Sequence, residues 1–197
     1  MTTGSVSPRR ADTRRNHERI LAVAAETLAG SGSGEVSFNA IAKRAEVGVG
    51  TVYRHFPTPE ALILAVYERE VRHLVEVVPG LLARRSPQDA FRVWATDHLA
   101  HYMMTKRGLA KALATATAAQ GELPAVAMRS ISAAVGTLLR ANVEAGTMRA
   151  DLDADTVLRG LSGLLHLDPD GDWARQAAKL ADLLWRGMCA ESCRKKD

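Results

Sequence analysis

At 197 residues, 47% of them hydrophobic, and with a mean hydropathy of −0.09, the chain can build one sizeable core or two small ones in water. No apolar run approaches the ~20 residues that a bilayer span requires, which excludes a helical membrane protein. The net charge of +4 and a pI near 9.3 allow an anionic partner without naming one.

The first twelve residues read as a flexible basic arm, 1–12. Over the first nineteen residues Arg9, Arg10, Arg14, Arg15 and Arg19 are opposed only by Asp12 and Glu18. Such an arm suits a phosphate backbone or a minor groove as well as it suits solvent. A helix follows with Ile20, Leu21, Ala24, Ala25 and Leu28 on one stripe, and it breaks at Gly30-Ser31-Gly32-Ser33-Gly34. Phe38, Ile41, Ala42 and Ala45 fall at i, i+3, i+4 and i+7, which predicts a short second helix capped by Ser37. Val52 and Phe56 share the buried side of a third. Between them, Glu46-Val47-Gly48-Val49-Gly50 forms a tight turn with Val47 plugging the small core, and Pro57 and Pro59 end the third helix. Neither short helix nucleates alone, so neighbours have to hold both. Two short helices about a turn, the second carrying Thr51, Tyr53, Arg54 and His55 outward, make a helix-turn-helix with a face suited to the major groove.

Beyond this motif the pattern is helical, with no strand signal and no internal repeat. Leu62, Ile63, Val66, Tyr67, Val71 and Leu74 mark a fourth helix, a connecting rod expected to stop near Pro79-Gly80. A helix over 87–106 offers Phe91, Trp94, His98 and Met104 as inward residues. An Ala/Thr-rich helix covers 108–119 before Gln120-Gly121. A long one over 123–146 carries Val126, Ile131, Val135, Leu138 and Leu139. Two final helices follow. The first is capped by Asp153 or Asp155 and buries Val157, Leu158, Leu161, Leu164 and Leu165; the second has a stripe of Trp173, Ala177, Leu180, Leu184 and Met188. Gly160, Ser162, Gly163, Ala177 and Ala181 let helices approach closely. The expected fold is all-α with about nine helices: an N-terminal three-helix helix-turn-helix DNA-binding domain (13–60), a connecting helix (61–80) and a helical bundle (81–197).

Residues from about 13 to 74 resemble the N-terminal domain of TetR-family transcriptional regulators. The resemblance runs through Asn16-His17-Glu18-Arg19-Ile20-Leu21-Ala22-Val23-Ala24 and Ile41-Ala42-Lys43-Arg44-Ala45. It continues in Val47-Gly48-Val49-Gly50-Thr51-Val52-Tyr53-Arg54-His55-Phe56 and ends in Glu60-Ala61-Leu62, four elements in order at family spacing. It implies that Arg44, Val49, Gly50, Thr51, Tyr53, Arg54 and His55 contact double-stranded DNA. It also implies a homodimer joined through about 154–190 as a four-helix interface, with the recognition helices in successive major grooves of a palindromic operator, roughly 34–36 Å apart. Repression is the family's usual outcome, and a ligand bound among the middle helices would move the fourth helix and release the operator. Two positions depart from the family. Glu46 stands where Gly is usual, at a turn position that favours positive φ. Pro59 stands where Lys usually contacts phosphate, although Pro suits a first helical turn and Arg54 or the N-terminal arginines can supply the missing charge.

Phe91, Trp94, His98, Tyr102, Met103, Met104, Leu113, Met128, Leu139 and His166 have the make-up of a ligand cavity, mostly apolar with a few polar handles, and equally that of an ordinary core. As a cavity they suit an unidentified apolar or aromatic, weakly acidic small molecule. No cofactor is expected. Asp97, His98 and His101 have metal-compatible spacing but no matching further ligands, so no metal site is expected. Asp168-Pro169-Asp170-Gly171-Asp172 fails as a calcium loop, since Trp173 and Lys179 stand where its Gly and final Glu belong; it reads as a polar turn that caps the next helix. With no phosphate-binding Gly-rich loop, nucleophile elbow or Cys-His pair, the chain does not read as an enzyme. Cys189 and Cys193 read as thiols rather than a disulfide. No apolar stretch precedes the first amphipathic helix, so no signal peptide is expected and the expected location is cytoplasmic. The alternative reading is a helical small-molecule or metal-sensing protein whose DNA recognition is weakened at Glu46 and Pro59.

Overall fold

A computed structural model describes residues 8–30, 36–118, 125–168 and 170–190, with side chains for 11–29, 36–117, 128–168 and 170–190. Residues 1–7 of the expected arm, the Ser31–Gly34 part of the break, Ala119 with Gln120-Gly121, the helix start at Leu123, the side chain of Val126, Pro169 and Cys193 lie outside the described residues. The elements are α1 (Pro8–Gly30), α2 (Phe38–Arg44), α3 (Val49–His55), α4 (Pro59–Arg84), α5 (Pro87–Val93), a π-helical stretch (Trp94–Ala100), α6 (His101–Thr105), α7 (Arg107–Ala118), α8 (Ala125–Glu144), α9 (Ala154–Leu161) with a 3-10 tail (Ser162–His166), and α10 (Trp173–Met188). With the run 87–105 taken as one element, these are the nine helices expected. No strand occurs among the described residues, only an isolated bridge between Met148 and Cys189. No described helix is long and apolar enough to cross a membrane.

Two compact units form. The first, the head, comprises the described residues up to Glu68 together with α7; the second comprises residues from Arg69 to Thr105 and the described residues from 125 onward. The division at residue 81 drawn from sequence placed α7 with the bundle, but α7 packs on α1. Its Leu109, Ala112, Leu113 and Ala116 form one buried stripe.

In the head, α1 starts at Pro8, where the fixed φ of proline suits a first turn, so residues 8–12 are helical rather than an arm. Its buried stripe is Ile20, Leu21, Ala24, Ala25 and Leu28, as expected. The Ser37 hydroxyl accepts from the Ala40 amide at 3.4 Å, so it caps α2. Phe38, Ile41, Ala42 and Ala45 are buried beneath. The chain then leaves α2 through a paired closure: the Val47 amide reaches the Ala42 carbonyl at 3.0 Å and the Glu46 amide the Lys43 carbonyl at 3.3 Å. Glu46 between them has φ +52°, the left-handed conformation expected at this turn, and its carboxylate takes Arg19 Nη2 at 2.9 Å. Thr58 caps α4 by accepting from the Ala61 amide at 3.2 Å, which leaves Pro59 in the first turn where no amide is needed.

α4 does not stop at Pro79-Gly80; it continues to Arg84 with Pro79 inside. Proline removes one ladder bond and crowds the preceding turn. That turn is held regardless, because Leu74 and Val78 are buried and the Leu74 carbonyl accepts the Trp94 indole N–H at 2.9 Å. In the second unit Phe91, Trp94, Leu99, Leu138, Leu161 and Leu164 are fully buried. Asn142, buried with them, donates from Nδ2 to the Pro87 and Leu138 carbonyls, both at 2.9 Å, and accepts the Thr147 hydroxyl at 2.8 Å. Asp153, not Asp155, caps α9, through the Thr156 amide at 2.8 Å. Asp172 caps α10 through Arg175 N at 3.2 Å, so the acidic segment is the capping turn expected. On α10 the buried stripe is Ala177, Ala181, Trp185 and Met188, whereas Trp173, Leu180 and Leu184 are only half-buried. Leu165, expected inside, is 49% exposed, and Leu158 is half-buried. The glycines explain that register. A Cβ at Gly160 would stand 3.2 Å from Leu184 Cδ2, and one at Gly163 3.3 Å from Leu180 Cδ2, so the close approach joins α9 to α10 within one chain.

Candidate nucleic-acid interface

The recognition face is set by where α3 is pinned. Val52 is fully buried and Phe56 nearly so, one turn apart on the core side. The positions opposite point outward: Tyr53 is 54% exposed, Val49 40%, and Gly50 and Arg54 are exposed beside them. Val49 with Tyr53 and Gly50 with Arg54 are each four apart, so the four form one continuous surface. Thr51 and His55 are half-buried at its margins. A Cβ built on Gly50 meets nothing within 4 Å, so internal packing does not require glycine there; its effect is a flush spot on the helix surface.

Each outward side chain already has a resting place. Tyr53 sits edge-on to Phe38 with centroids 4.8 Å apart. Arg54 folds along its own helix, Nε to the Gly50 carbonyl at 3.1 Å and Nη2 to the Thr51 hydroxyl at 3.0 Å. Arg44, expected to touch DNA, turns to α1 instead: Nη1 donates to Thr27 Oγ1 at 2.6 Å and Nη2 to Glu26 Oε2 at 3.0 Å. His55 meets His17 of α1 edge-on at 5.4 Å, and His17 stacks on Phe56 at 4.9 Å. Burial, then His17, then Arg54 hold the His55 pKa below its ordinary value. Nothing in the spacing links His17 of α1 to His55 at the end of α3, and only packing brings them together.

The ten residues read as a ligand lining differ in their burial. Phe91, Trp94, Met104 and Leu139 are buried core of the second unit, and the one N–H of Trp94 is taken by Leu74. His98, Tyr102 and Met103 are half-buried, and Met128 and His166 are exposed. Leu113 belongs to α7 in the head. His98 faces His73 with centroids 5.9 Å apart; burial first and then His73 lower its pKa, while Asp97 opposes. No group of three metal-capable side chains occurs among the described residues. A surface concavity of about 310 Å³ opens instead at the end of α8, lined by Gly136, Leu139, Arg140, Val143, Glu144, Ala150, Leu152 and Ala154. Only Leu139 of the ten lines it. The Ala150 and Leu152 side of that concavity is loop, which carries no periodic signal.

Comparison with known proteins agrees with this architecture. Residues 20–66 match the family of bacterial regulatory proteins of the tetR type, and residues 86–190 match the C-terminal domain of SbtR-like transcriptional regulators. The TetR transcriptional regulator SCO0520 from Streptomyces coelicolor is 35% identical, with 89% of this chain and 99% of that one covered and a TM-score of 0.74. A TetR transcription regulatory protein from Mycobacterium vanbaalenii is 34% identical over 93% of this chain and 100% of its own, with a TM-score of 0.69. RolR, solved in complex with resorcinol, shares the fold at 20% identity and a TM-score of 0.59, with 93% of this chain and 92% of that one covered. No curated protein matches the chain. The head, its outward α3 face and both matched segments lead to one conclusion: the chain belongs to the TetR family of DNA-binding transcriptional regulators.

Proposed function

We propose that the chain is a homodimeric repressor that holds a palindromic operator and lets it go when a small molecule binds its second unit. The observation that carries the reading is the α3 surface of Val49, Gly50, Tyr53 and Arg54, exposed and contiguous, on a helix pinned from behind by Val52 and Phe56. The flush spot at Gly50 admits close approach of a base edge or sugar-phosphate chain. Tyr53 and Thr51 supply contacts to bases, thymine methyl groups or phosphates, and Val49 adds apolar contact. Arg54 is a cation whose present partners lie on its own helix, so it can swing to guanine or phosphate at little cost. Arg44 has to leave Glu26 and Thr27 before it reaches DNA, which makes it the minor contributor of the set.

Dimerisation is supported by the exposed apolar side chains of the last helices, Leu183 at 67% and Leu165 at 49%. For the ligand, burial narrows the lining to His98, Tyr102 and Met103, which are partly accessible and include polar handles. A small aromatic molecule suits that chemistry. Release then follows from population shift: the ligand prefers the form in which the two heads no longer match successive grooves. Residues of α4 belong to both units, which makes that helix the natural carrier of the change. The reading has no catalytic step.

The test is fluorescence anisotropy on the duplex immediately upstream of the protein's own gene, with unlabelled competitor and a salt titration. Competitor-resistant binding with a steep salt slope is expected. Tyr53→Ala should abolish it, and Arg54→Ala should either relax sequence preference or lower the salt slope by about one. Normal binding by both variants would refute this face as the reader.

A further inference from the structure

Beside the face just described, Thr13, Arg14, His17 and His55 line a concavity of about 290 Å³ between α1 and the end of α3. None of its four lining residues is acidic. The two imidazoles are held there by contact, 5.4 Å apart with His17 stacked on Phe56 at 4.9 Å. The charged groups acting on His55 are His17 from α1 and Arg54 from its own helix. Asp12 is paired with Arg15 at 3.6 Å and Glu46 with Arg19 at 2.9 Å.

We infer that this concavity seats a backbone phosphate of duplex DNA, and that His55, in contact with His17, takes up a proton as the phosphate arrives, so that DNA binding tightens as the solution becomes more acidic. The inference rests on the reading of the head as a DNA reader. Without an anion, burial, a second imidazole and a guanidinium all oppose a charge on His55. A phosphate reverses the balance, because an opposite charge at contact distance favours the imidazolium, and the imidazolium in turn gives a charge-assisted hydrogen bond. Arg14 supplies a fixed cation and Thr13 a hydroxyl. Proton and DNA therefore promote each other's binding by the same factor. A His55 pKa that rises by about one unit on contact contributes up to about tenfold in affinity.

The experiment measures anisotropy of a short fluorescein-labelled duplex of mixed sequence, at low constant ionic strength in phosphate-free buffer, between about pH 8 and about pH 6. The mixed sequence suffices because phosphate contacts do not depend on base identity. Wild-type binding should tighten several-fold to tenfold over that range. His17→Phe, which keeps a ring against Phe56, and His55→Gln should each flatten the profile. In the wild type, the NMR titration midpoint of His55 should move up when duplex is added, a readout that needs no variant to fold. A flat wild-type profile, an unmoved midpoint, or a slope that survives in both variants would each overturn the inference while leaving the DNA-reading head intact. Failure to bind duplex at any pH or salt would overturn that reading too.

Discussion

Glu46 offers the most direct test of how the helix-turn-helix is held. It occupies the left-handed C′ position of a paired helix closure at φ +52°, the one positive φ at a non-glycine among the described residues. For an L residue with a Cβ this region costs about 1–2 kcal/mol. Glycine escapes that strain but loses about 0.4–1 kcal/mol through the greater freedom of its unfolded chain, so Gly should exceed Ala here by about 0.5–1 kcal/mol. Glu46 also makes an ion pair with Arg19 at 2.9 Å, with side chains 83% and 40% exposed. Screened to that degree, the pair contributes about 0.2–1 kcal/mol. Glu46→Ala should therefore lower stability by that small amount, keeping the strain and losing the pair. Glu46→Gly should be at least as stable as the wild type, within about 0.5 kcal/mol, since the two changes offset. Thermal unfolding followed by circular dichroism should separate the two variants by about 1–4 °C for a chain of this size. A double-mutant cycle with Arg19→Ala isolates the ion pair. Equal stability of the Ala and Gly variants would refute the left-handed strain, and zero coupling to Arg19 would refute the compensation.

Three further outcomes follow from the geometry. Asn142→Leu should cost about 1–3 kcal/mol, because the Pro87 carbonyl and the Thr147 hydroxyl each lose a buried partner; a change below 0.5 kcal/mol, roughly the size of a neutral surface substitution, would contradict that network. His55 and His98 both have folded-state pKa values below the ordinary 6.5, so the unfolded chain binds more protons in acid: the DNA-free protein should keep this stability above about pH 6.5 and lose it progressively below, and a melting temperature that rises on acidification from pH 7 to about pH 5.5 would refute the sign. Leu183→Glu places a charge on the exposed large apolar side chain of α10 and should give a folded monomer by light scattering, whereas an intact dimer would move the interface elsewhere.

Much of the head was legible because its signals are local. The α2 stripe, the Ser37 cap, the positive φ at residue 46 and the outward side of α3 each depend on residues within one or two turns of one another. The same holds for the all-helical class and the capping turn before α10, since periodicity and caps are written in sequence. The errors came where a local rule met a tertiary contact. Pro79 reads as a stop, yet a buried Leu74–Val78 turn and a bond from Trp94 carry α4 past it. The α7 stripe could have packed on the bundle or the head, and only its fit to α1 placed it in the head. On α10, Trp185 rather than Leu184 took the core position, and Leu184 lies half-buried against Gly160. The ligand lining was the least legible, since an apolar cavity and an apolar core share one composition. The sequence by itself thus determined a helical chain with a helix-turn-helix and the face it turns outward, because short-range spacing specifies both. Only the tertiary structure decided which stripes found each other and that His17 meets His55 across 37 intervening positions, because such contacts depend on packing between segments that no spacing rule connects.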